Sequence, residues 1–82
     1  MVDLRTLNAM IDYKWIRLKL SDGGTFEGHP VNIDYEDESA SGENEICLEY
    51  EKNRFRGFRA SEITSWEIPL ANYGKNTGKY FK

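Results

Sequence analysis

Residues 15–35 constrain the fold more than any other stretch. "WIRLKL" (15–20) alternates with period two: Ile16, Leu18 and Leu20 fall on one side, and Trp15, Arg17 and Lys19 on the other. That is the pattern of a half-buried strand. "SDGG" follows, and Asp22-Gly23 supplies the positive φ angles that a tight hairpin wants. The returning run, "TFEGHPVNIDY" (25–35), changes phase in its middle: Phe26 is apolar at an even position, Val31, Ile33 and Tyr35 at odd ones. All four are expected inward if the strand breaks step at Gly28-His29-Pro30. Glycine and proline inside a strand mark a bulge or a sharp bend, and a long strand bent in its middle can serve two halves of a small closed barrel.

The flanking segments fit that plan. Residues 3–12 read as a short helix with Asp3 as N-cap and Leu4, Leu7 and Ile11 on one face. Ten residues make a marginal helix in water, so it must dock on the sheet. "EDESASGEN" (36–44) is a solvated loop. "EICLEY" (45–50) is a third strand with Ile46, Leu48 and Tyr50 inward, and Lys52-Asn53 is a second tight turn. "RFRGF" (54–58) is a fourth strand, in which Gly57 is expected to break phase so that Phe55 and Phe58 both turn inward. "ASEI" (60–63) reads as one helical turn capped by Ser61, and "TSWEI" (64–68) as a fifth strand ended by Pro69. The expected fold is mainly β: a short N-terminal helix, then a five-stranded, strongly bent antiparallel small barrel. It forms one domain over residues 1–68, followed by a flexible basic and aromatic tail over 69–82.

With 82 residues, the chain buries roughly 60% of its unfolded surface, which leaves a thin stability margin. One cysteine cannot form an internal disulfide, so the fold rests on packing. No apolar run approaches the ~20 residues of a membrane span. The opening "MVDLRTLNAM" has an acid at position 3 and no apolar core stretch, so neither a signal nor a transit peptide is expected. Together these point to a reducing cytoplasm. The net charge of −3 is segregated: residues 32–51 hold eight acids and no base, and residues 52–61 hold four bases and no acid. An acidic chain is a poor prior for non-specific nucleic-acid binding, which depends on phosphate neutralisation, but a local basic patch remains open.

"IRLKLSDGGTFEGHPVNID" (16–34) resembles the first motif of the Sm-like family of SH3-like small barrels: an alternating apolar strand, a turn containing Gly23, then Gly28 with Asp34 six residues later. "FRG" (55–57) resembles the Ile-Arg-Gly of that family's second motif. The resemblance covers roughly residues 3–68. It implies a barrel, a ring-like homo-oligomer and RNA binding. Glu38 stands where the family's base-holding asparagine would fall, and there it would repel phosphate.

The candidate nucleic-acid contacts are Lys52, Arg54, Arg56 and Arg59, with Lys75 and Lys79 of the tail, where lysines interleave with Tyr73, Tyr80 and Phe81. A plainer reading competes. If Lys52-Asn53 is a two-residue turn, Glu51 lies opposite Arg54 and Glu49 opposite Arg56, with Tyr50 opposite Phe55 on the other face. The arginines then have partners without any ligand, and they also guard the edge against aggregation. An acidic protein surface is a third partner for them. A His29–Cys47 nucleophile pair lacks an orienting third group. A calcium loop starting at Asp34 would have Ser39 where glycine is needed. No zinc spacing or phosphate-cradling loop occurs. No enzyme activity, cofactor, metal or small-molecule substrate is therefore expected. The function read from the sequence is a non-catalytic interaction or assembly module that binds a protein partner or itself. The alternative is a single-stranded nucleic-acid-binding barrel.

Overall fold

In a computed structural model that describes residues 2–69, helix α1 (Leu4–Met10) is followed by strands β1 (Ile16–Leu20), β2 (Thr25–Asp34), β3 (Glu45–Glu51), β4 (Arg54–Arg59) and β5 (Ile63–Glu67). A 3₁₀ turn (Ala60–Glu62) leads into β5. The strands form one antiparallel sheet in the order β4-β3-β2-β1-β5. The expected tail, with Lys75 and Lys79, lies outside the described residues.

Asp3 caps α1, its Oδ1 accepting from the Thr6 amide and the Thr6 hydroxyl, both at 2.9 Å. The buried face of the helix is Leu7 and Met10, rotated from the expected Leu4–Ile11 line. Gly23 at φ +90° makes the first hairpin turn, and the Asp22 carboxylate accepts from the Gly24 amide at 2.8 Å. Asn53 at φ 61° makes the second. The 3₁₀ turn differs from expectation in its cap: Glu62 reaches back to the Arg59 amide (3.0 Å), while Ser61 donates through its amide and hydroxyl to Glu43 (3.1 Å each). Backbone bonds tie this turn to the N-terminus (Val2 to Ala60), the long loop (Ala60 to Asn44) and the first hairpin (Ser21 to Glu62).

β2 is divided at the place the sequence marks. Its first half, to Gly28, pairs with β1, and from His29 onward it pairs with β3. Gly28 is required by close approach: a Cβ there would lie 2.9 Å from the Glu49 carbonyl oxygen and 3.0 Å from the Leu48 Cβ. The extra residue of the bulge, however, is Val31, since Pro30 faces Leu48 and Asn32 faces Cys47. Val31 and Tyr35 are therefore exposed, not inward, and of the expected odd-numbered set only Ile33 packs on the core.

Bulges at Tyr50 and Thr64 complete the pattern. At Tyr50 the pairing steps from Glu51↔Arg54 to Glu49↔Phe55 and Leu48↔Arg56. A one-residue step moves every following side chain to the other face. Phe55 is accordingly 53% exposed, and Arg56 joins the core side, where a salt-bridged outer row was expected. The ladder runs through Gly57 without a shift, so the expected phase break there does not occur.

The two halves of the sheet face each other. Phe26 of β2 meets Phe58 of β4 with ring centroids 4.9 Å apart, and Tyr50 edge-on at 5.2 Å. Between them lie Leu7, Met10, Ile16, Leu18, Ile46, Leu48 and Ile63, all with no exposed surface. Tyr13 packs on Trp66 at 5.1 Å and covers the β5 end. No ladder joins β4 to β5 among the described residues, so closure into a barrel is not seen. No helix among them is long and apolar enough to cross a membrane.

Candidate functional site

The basic cluster of residues 52–59 does not form one stripe. Lys52 sits exposed at the turn. Arg54 pairs with Glu51 at 3.4 Å. Arg59 lies opposite Glu45 on the outer face, and Glu62 holds its Nε at 3.2 Å. Arg56 points the other way, its guanidinium stacked over Phe58 (4.7 Å) and Phe26 (5.3 Å). Arg56 makes none of the ion pairs among the described residues, although its charge helps lower the Glu62 pKa. Stacking fixes a planar fork of donors at the rim of the core with its outer side in solvent. Bulge and register thus separate the four predicted contacts into a stacked cation, two carboxylate-held arginines and an exposed turn lysine.

The expected Glu49–Arg56 pair is absent. Glu49 instead accepts from the Asn53 amide at 3.1 Å and braces the turn. The ion pairs of the other half are built on Arg17, which bridges Glu27 (3.0 Å) and Glu67 (3.3 Å), with Lys19 also on Glu67 (3.1 Å). That network holds β2, β1 and β5 in register.

A cleft of about 310 Å³ lies beside the hairpin, lined by Trp15, His29, Glu49, Tyr50, Glu51 and Lys52. Sequence reasoning did not assemble it. His29 and Glu49 meet only through the β2–β3 register, and Tyr50 is placed by a bulge that no local residue pattern announces. The His29 Nδ1 lies 2.7 Å from the Lys14 carbonyl, and because a carbonyl only accepts, Nδ1 carries the proton.

In the β2–β3 ladder Cys47 lies opposite Asn32, and His29 lies opposite Glu49. Burial pushes the Cys47 thiol above its ordinary value, and the Asp34 charge adds to the rise. An activated cysteine needs the opposite shift. No group of three or more histidine, cysteine or carboxylate side chains is arranged to hold a metal among the described residues. No family model, curated protein or solved structure matches the chain.

Proposed function

We propose that the chain is a non-catalytic interaction module, a small barrel of the SH3-like kind, that assembles with copies of itself through its sheet edges. One observation carries this reading. β4 and β5, the outermost strands of one sheet, have no ladder partner on their outer sides among the described residues. An unpaired strand edge is a template for another chain. The two edges are unlike: β4 carries three arginines and no acid, and β5 carries Glu67 and no base. Every β4 residue except Phe58 is exposed, including the large apolar Phe55. Pairing β4 of one copy with β5 of the next is a head-to-tail contact, which closes into a ring where the rotation allows. The Sm-like resemblance of residues 16–34 and 55–57 implies the same kind of assembly.

Light scattering across a concentration series tests it. The expected mass is a multiple of the 9.5 kDa chain. Phe55→Lys adds charge to an exposed edge position without touching the core, and should return the particle toward one chain. A wild-type protein that stays at one chain at every concentration overturns the reading.

Arg56 favours a second reading, single-stranded RNA binding. It is a stacked guanidinium that makes none of the ion pairs among the described residues, and guanidinium planes stack on unpaired bases. This reading predicts RNA binding that weakens with salt and on Arg56→Ala. Absence of binding at low salt would end it.

A further inference from the structure

We propose that the cleft beside the β3–β4 hairpin binds a lysine-type alkylammonium side chain presented by a protein partner. Its volume, about 310 Å³, lies at the low end for ligand sites and suits one side chain better than a cofactor. Three of its lining residues carry aromatic rings: Trp15, His29 and Tyr50. Two more carry carboxylates: Glu51, which is paired with Arg54, and Glu49, which makes none of the ion pairs among the described residues, while Lys52 is the one base of the lining. A cation over aromatic faces is attracted by the ring quadrupole, and more strongly as water is excluded.

The acceptors in this cleft are fixed in place. The Trp15 indole donates to Glu27 Oε1 at 3.0 Å, which orients the ring. Because His29 Nδ1 donates to the Lys14 carbonyl, Nε2 is the ring nitrogen that can act as an acceptor in the uncharged form. Glu49 Oε2 is held by the Asn53 amide, which positions the carboxylate and leaves its other oxygen with acceptor capacity. Tyr50 is braced edge-on against Phe26. An ammonium group carries three donors and no acceptor, so it complements an imidazole nitrogen and a carboxylate set among rings. A phosphate or carboxylate ligand would meet the charge of Glu49, which no cation among the described residues pairs. Lys52, on the exposed turn at the rim, is the internal rival for the same acceptors.

This proposal goes beyond the self-assembly reading and does not depend on it, since a chain that stayed monomeric would keep the cleft. The test is an NMR titration of the full ¹⁵N-labelled chain with Nα-acetyl-lysine methylamide, using the uncharged norleucine analogue as control. The expected result is saturable shifts at residues 15, 29 and 49–51, with affinity in roughly the millimolar range for so small a probe, and none with the analogue. Glu49→Gln should weaken binding by about tenfold, as loss of a charge-assisted hydrogen bond does. Lys52→Gln, at an exposed turn position where folding is not at stake, should strengthen it. The proposal is overturned by absent or non-saturating shifts, by equal shifts with the norleucine analogue, by a Lys52→Gln variant that binds no better, or by a mononucleotide that shifts the same amides more strongly.

Discussion

Arg56 shows how one residue's role is decided by its neighbours. A sheet register one residue different would pair it with Glu49; the observed one lays it on Phe26 and Phe58. Arg56→Ala should cost about 1 kcal/mol in urea unfolding, through lost stacking and newly wetted rings. Arg56→Lys should recover only part of that, because an ammonium has no plane to stack. If both variants match wild type, the stacked pose is wrong. Two other residues contribute to the acid limb of stability. The Thr6 backbone and hydroxyl bonds hold Asp3 below its ordinary 3.8, and the Arg59 amide and side chain hold Glu62 below 4.5. As pH falls the unfolded chain therefore takes up protons first. The stabilisation is complete above those ordinary values and drains away as pH drops through the lowered ones. Glu62→Gln should flatten that part of the pH–stability curve, and an unchanged acid limb would contradict the assignment. Cys47, its pKa raised, should react with iodoacetamide at pH 8 more slowly than a free thiol.

At the scale of elements, the two mid-strand glycines part company. Gly28→Ala drives a Cβ into the Glu49 carbonyl and Leu48, backbone and packed core that cannot yield, and should destabilise by about 1–3 kcal/mol. At Gly57 the nearest atom is Glu45 Oε1, at 3.6 Å, and φ is not positive. Gly57→Ala should therefore be neutral or stabilise by up to about 1 kcal/mol, as alanine does in a strand that does not need glycine. Melting curves of the two variants check both. The same contrast shows what sequence could reveal. Helix, five strands and both turns were legible because alternation, an aspartate cap, Gly23 and Asn53 are local signals. Where β2 changes partner was legible because Gly28 and Pro30 sit there. The bulges at Val31, Tyr50 and Thr64 were not: each is a step between two strands, fixed by pairing across the sheet, and Glu49-Tyr50-Glu51 reads as unbroken alternation. Missing the Tyr50 step inverted Phe55 and Arg56 together.

Across the whole molecule, the aromatic cluster and the cleft arise from contacts between segments far apart in the chain. Phe26 meets Phe58, and Trp15 shares a cleft with Glu49, so no single window of sequence displays either. What the described residues leave open is simpler: one sheet, two unlike edges, and an exposed phenylalanine on one of them. Hydrogen–deuterium exchange measured at rising protein concentration tests that most directly. If edge pairing is the assembly contact, amides of residues 54–59 and 63–67 gain protection as concentration rises, while those of α1 keep the same rates. Edge amides that exchange equally fast at all concentrations, or protection that rises uniformly over the chain, would contradict it.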